Sequence, residues 1–264
     1  MPIVSISQLQ MTLTNIAALS AFIAFWVFVL GNVSKWRTGM YRFAELLILI
    51  GFACLTAAIV ARGFEANRFP LANLYESTLW FAWAIMGSYL ILVRRLGQNQ
   101  LGWLAALTAT MFFLYGSLLP GNQQQLTPLV PALVSYWRQI HVPPLIISYA
   151  LFFTAGLASL VELWYAGRLR SLILAVVTII LAITAICLGT YTSIETGWLQ
   201  LLFVGSSLLG IFFAWQNLPK IAANKINEQK ANTYDEISSK AISVGVPLLT
   251  FGVITGGLWE EDSQ

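Results

Sequence analysis

The sequence predicts an all-α fold: a polytopic transmembrane helical bundle of about eight spans, with both termini on the outer side of the membrane. Three observations carry this expectation. First, 58% of the 264 residues are hydrophobic, only 9% are charged, and the mean hydropathy is +0.75. A chain that covers itself with a water-facing surface carries about 25% charged residues. Second, the apolar residues come in long unbroken runs, which suit helices whose backbone groups must be satisfied inside hydrocarbon. Third, the basic residues are distributed with a strong bias between alternate loops. Together these exclude a soluble enzyme and a disordered chain. The net charge of +3 is too small to argue for a nucleic-acid partner.

A span needs roughly 20 apolar residues, and candidate runs lie near 12–32, 43–61, 76–93, 101–119, 143–166, 171–190, 197–216 and 241–258. The first begins without a basic segment or a small-residue cleavage pattern, so it reads as a span rather than a signal peptide. With the N-terminus outside, eleven of the 14 Lys and Arg residues fall on the cytoplasmic side, from Lys35 and Arg37 to Lys240. Only Arg62, Arg68 and Arg138 fall outside. Such an excess keeps short loops cytoplasmic. The chain therefore reads as one integral membrane domain over 1–264, with outer loops at 62–75 and 120–142 and a polar, mobile cytoplasmic connector at 217–240.

Four groups of residues are candidates for chemistry. The loop from Arg62 to Ser77 holds two arginines, two glutamates, two phenylalanines and a proline on the outer face, where an anion could be held. Helix capping is the plainer reading, since Asn73 and Glu76 have the spacing of a capping box. His141 is the lone histidine, directly before Val142, Pro143 and Pro144. Proline is well tolerated at a helix start, so the fifth span is expected to begin at Pro143 or Pro144 with His141 just above it. There the positive end of the helix dipole favours neutral imidazole, the metal-binding form. An interfacial histidine bonded to a loop carbonyl, beside Trp137 as an aromatic anchor, is the alternative.

Cys54 and Cys187 lie inside separate apolar runs. They make neither a disulfide framework nor a CxxC site, and they read as packing residues unless they form a transmembrane thiol relay. Glu45 and Glu162 are the ionisable residues nearest to a span interior. Both are expected within reach of cytoplasmic water, which leaves no ion relay.

The outer segments also carry a resemblance. Arg68–Ser77 (RFPLANLYES) resembles the "FPLxxLYES" loop of the system II cytochrome c biogenesis family, CcsA/ResC-type haem-handling membrane proteins, and is closest to its chloroplast and cyanobacterial branch. Leu129–Val142 (LVPALVSYWRQIHV) resembles that family's "LVPALxSxWLxxHV" stretch, and Ile147–Ala150 its "LSYA" helix. Ala241–Trp259 is similar to its "xISLGFxxLTxGILSGAVW" segment. The matches run in family order.

The resemblance implies a chain that handles haem b at the outer face and presents it to apocytochrome c for thioether attachment. It implies a component of a cytochrome c synthase complex rather than an enzyme active alone. The implied setting is the lipid bilayer of a thylakoid (or plasma) membrane, beside a second membrane subunit of the system II complex. By position, His141 takes the role of the family's first outer axial ligand to haem iron, and Trp259 lies near the haem. Trp137 and the arginines Arg68, Arg138 or Arg62 are expected to contact the porphyrin and its propionates.

The sequence given ends at Gln264, where the family pattern continues into a tryptophan-rich "WGxxWxWD" loop, a second outer histidine and an intramembrane histidine. Relative to that pattern it reads as a short form or a fragment, with runs 171–190 and 197–216 as an added hairpin. A membrane scaffold without haem and a thiol relay through Cys54 and Cys187 are the other two function classes.

Overall fold

The computed structural model describes residues 5–95, 101–126, 136–165, 205 and 225–262. Among the described residues there are helices and no strands. The first helix, α1 (Ile6–Gly31), starts about two turns earlier than the apolar run, because Ser5 and Gln8 form a reciprocal capping box. It buries Thr14, Ala17, Ala21, Ala24 and Phe28 at spacings of three and four. Helix α2 (Arg37–Ala66) returns antiparallel beside it. The small residues Ala17 and Ser20 meet Gly51 there, where an added Cβ would lie 3.3 Å from the Ala17 carbonyl. Asn67 ends α2 in the left-handed conformation (φ 47°), one that asparagine tolerates.

Helix α3 (Leu74–Ser88) continues into a π-helical segment (Tyr89–Val93). It is the central element, packed on α2, on α4 (Gly102–Leu118) and on α6 (Trp137–Tyr165). Phe81 stacks on Phe112 of α4 at 5.3 Å, and Ser88 shares a 2.8 Å hydroxyl bond with Thr154 of α6. A short α5 (Gly121–Gln124) follows α4. Helix α7 (Lys225–Asp262) lies antiparallel to α6: Ser148 donates to the Gly245 carbonyl, Ser159 meets Ser238, and Tyr165 stacks on Tyr234. The bonds of α6 to α3, from Arg138 to Leu71 at one end and from Thr154 to Ser88 further along, make these two helices run in the same direction.

Among the described residues, five helices are long and apolar enough to cross a membrane. Their outward faces remain apolar, as at Leu19 (60% exposed) and Val253 (62%), which suits lipid rather than water. The runs expected at 171–190 and 197–216 lie outside the described residues, apart from residue 205, as does Cys187.

Three local expectations need correction. Helix α6 begins at Trp137, so Pro143 and Pro144 lie inside it and His141 belongs to the helix instead of standing above it. Proline costs a helix its i→i−4 bond, but side-chain bonds from Arg138 and His141 to other segments hold these turns in place. Residues 225–240, expected in a mobile connector, form the first half of α7. Their polar sequence hides a buried stripe of Ala231, Tyr234, Ile237, Ser238 and Ala241. Glu45 does not reach water freely: it is 7% exposed and pairs with Arg94 at 3.3 Å.

Candidate functional site

The helix directions gather the C-terminal turn of α2, the start of α3, the start of α6 and the end of α7 at one end of the bundle. All three arginines assigned to the outer side lie there. Arg37, Arg94 and Lys230, assigned to the inner side, contact Tyr41, Glu45 and Tyr165 at the opposite end.

The charged half of the site centres on Glu76, whose side chain is fully buried. Asn73 caps α3 by accepting from the Glu76 N–H at 2.9 Å, which is half of the expected capping box. The other half does not form. The carboxylate instead accepts from the Ala72 N–H at 2.6 Å, from Arg62 Nε at 2.9 Å, and from Arg68 Nη1 and Nη2 at 3.0 and 3.2 Å. Arg62 also donates to the Gln124 carbonyl, which ties α5 to the cluster. Two of the three arginines are thus held by one carboxylate.

Arg138 differs. It is 2% exposed, donates from Nη1 to the Leu71 carbonyl at 3.1 Å, and lies within electrostatic reach of Arg68 and Glu76. Its Nε is buried without a hydrogen-bond partner. Three guanidiniums and one carboxylate leave a net charge of about +2 in a largely buried cluster, so the arrangement favours an added anion.

His141 stands one turn from Arg138 on α6, a spacing that puts both on neighbouring parts of the helix surface. The ring is half-buried between α6 and α7, with Nδ1 2.6 Å from the Gly252 carbonyl oxygen. A carbonyl only accepts, so Nδ1 is the nitrogen that carries a proton here, and in a neutral ring the lone pair is then on Nε2. Histidine that binds a metal commonly has its other ring N–H anchored on a carbonyl in this way. Trp259 packs at 5.6 Å from the His141 ring, centroid to centroid, while Trp137 packs tilted against Tyr136 at 4.9 Å. Among the described residues no cluster of three His, Cys, Asp or Glu could hold a metal ion. What the described residues bring together at this end is one imidazole, aromatic faces and cationic side chains.

Cys54 is a half-buried free thiol on α2. Sequence reasoning missed the central role of Glu76 and the part α7 plays in seating His141. The signal for the second was the glycine pair at 256 and 257 near the chain's end, opposite a lone histidine.

The chain matches the family described as Cytochrome C assembly protein over residues 71–263. It is 30% identical to the cytochrome c biogenesis protein CcsA of Pyropia yezoensis, across 97% of this chain and 76% of the relative. To the protein of that name from Synechocystis it is 28% identical, across 94% of this chain and 79% of the relative. To the one from Prochlorococcus marinus it is 29% identical, across 91% and 67%. No solved structure matches the chain.

Proposed function

Because the chain belongs to the cytochrome c assembly protein family, in which its relatives are CcsA-type cytochrome c biogenesis proteins, we propose that it holds haem b at the outer end of the bundle and presents it to apocytochrome c. The observation that carries this reading is the His141 geometry: Nδ1–H is anchored on the Gly252 carbonyl, which leaves Nε2 as the nitrogen available to a metal. Haem is the cargo, supplying an iron that accepts one axial imidazole and the peripheral groups that become thioether-linked to the apocytochrome.

The chain's own residues do the rest. His141 offers the axial nitrogen. Trp259 packs beside that imidazole, and Trp137 adds apolar surface one turn earlier on α6. Arg138, with its unpartnered Nε, is the arginine with donor capacity for a propionate. Arg62 and Arg68 act through Glu76 and shape the loop instead. The second axial ligand comes from outside the described residues or from a partner, for which a second membrane subunit of the system II complex is the natural candidate. The outer end faces the thylakoid lumen, or the periplasm if the protein resides in a plasma membrane.

Hemin titration into the detergent-purified chain tests this, read by the Soret band beside His141→Ala. A ligand on iron predicts at least about 10-fold weaker binding in the variant, on the scale of losing support around a metal site. Restoration by added imidazole would strengthen the assignment. Equal binding by both proteins would remove His141 as the ligand.

A further inference from the structure

The imidazole of His141 rests directly on the backbone of α7 at Gly256. A Cβ added there would lie 2.6 Å from Cε1, 2.9 Å from Nδ1 and 3.5 Å from Nε2 of the ring. Real Cβ contacts are essentially never shorter than 3.0 Å. Returning the ring to an ordinary 3.4 Å contact needs a shift of roughly 0.8 Å away from α7. One turn back, the Gly252 carbonyl receives Nδ1 at 2.6 Å. The same carbonyl accepts from Thr255 Oγ1 at 3.0 Å, and Thr255 is 4% exposed. Gly257, the next residue, has nothing within 4 Å of an added Cβ. Two adjacent glycines therefore differ completely in what they face.

We propose that Gly256 and the Gly252 carbonyl form a slot on α7 that selects the Nδ1–H form of His141 and aims Nε2 out of the helix pair. Gly256 is a positioning residue: it acts through His141. The slot draws the Nδ1–Cε1 edge against α7, and that edge alone faces an acceptor. With the ring pushed off the helix, the Nδ1–H bond is stretched. The tautomer is then no longer dictated, and the direction of Nε2 is lost with it. Thr255 lies beside the slot, its one hydroxyl proton shared between the Phe251 and Gly252 carbonyls at 2.9 and 3.0 Å. The functional consequence rests on the reading of His141 as a haem ligand; the slot itself does not.

The chain has one histidine, so ¹⁵N-histidine labelling of the full protein in detergent reports on this ring alone. At a pH where the ring carries a single proton, the expected spectrum of the haem-free wild type and of Gly257→Ala is one tautomer, with that proton on Nδ1. In Gly256→Ala the expected result is a mixture of both tautomers. Both substitutions add the same methyl group to the same helix, so a shared change in helix propensity cancels. Identical spectra for the two variants would overturn the proposal.

Hemin titration then gives about 10-fold weaker binding for Gly256→Ala than for Gly257→Ala. If the tautomers respond while wild type and His141→Ala bind hemin equally, the slot stands and the haem reading fails. Should Gly256→Ala not fold, His141→Gly removes the clash, and free imidazole can fill the slot. Restoring the hemin spectrum is expected to need about 10-fold more imidazole in His141→Gly/Gly256→Ala than in His141→Gly. Equal requirements would also overturn the proposal.

Discussion

Replacing Glu76 by glutamine should be among the most damaging single changes in the chain. The carboxylate is fully buried, while Arg62 and Arg68 have side-chain exposures of only 4% and 11%. Four donors converge on it at 2.6 to 3.2 Å. At an effective dielectric of about 20, each carboxylate–guanidinium attraction is worth about 4 kcal/mol at 4 Å, before the cost of taking the ions out of water. What matters for the variant is the charge left behind. Glutamine keeps the shape and one acceptor oxygen, but it turns an NH₂ towards donors and leaves two guanidiniums without a counter-charge. Removing one partner of a buried ion pair costs about 3–5 kcal/mol, and that is the expected loss. Reversible unfolding of the purified protein in mixed detergent and SDS measures it. A companion variant separates charge from packing. Glu76→Leu combined with Arg62→Met and Arg68→Met should recover most of the stability, because apolar residues of similar volume can replace a buried ion cluster at little cost. If Glu76→Gln unfolds within about 1 kcal/mol of wild type, Glu76 does not organise this end of the bundle.

Two further predictions use the same unfolding assay. Pro143→Ala should stabilise the protein by about 1 kcal/mol, because it returns a donor to the interior of α6; a loss of stability would show that this proline serves as a helix start. Gly102→Ala should cost about 1–3 kcal/mol, since its Cβ would run into the buried ring of Phe28. Gly39→Ala, which meets nothing within 4 Å, should be neutral or slightly favourable.

Much of the architecture was legible from residues alone. Low charge and unbroken apolar runs announce the solvent a chain faces, and a membrane bundle followed from them. The bias of Lys and Arg divided the loops into two sides, and the described helices keep Arg62, Arg68 and Arg138 together at one end. His141 stood out as the lone imidazole in a recognisable segment. These are properties of composition and of neighbours in sequence, so no tertiary contact is needed to read them.

Partnership was not legible. Arg62, Arg68 and Arg138 look alike in sequence, and only the packing around Glu76 pairs the first two with its carboxylate and leaves Arg138 with a buried, unpartnered Nε. The capping spacing of Asn73 and Glu76 was real, but two guanidiniums competed for the carboxylate and won it. Helix α6 starts ahead of its prolines because their local preference is weaker than the bonds that Arg138 and His141 make across 67 and 111 residues of chain. The side of the imidazole that carries its proton depends on a carbonyl and a missing Cβ on another helix. Sequence alone determined which environment the chain inhabits and which residues could do chemistry. Tertiary structure decided which of them are already paired and which way the remaining ones point, because burial makes unpaired charges and misdirected donors too costly to leave to local preference.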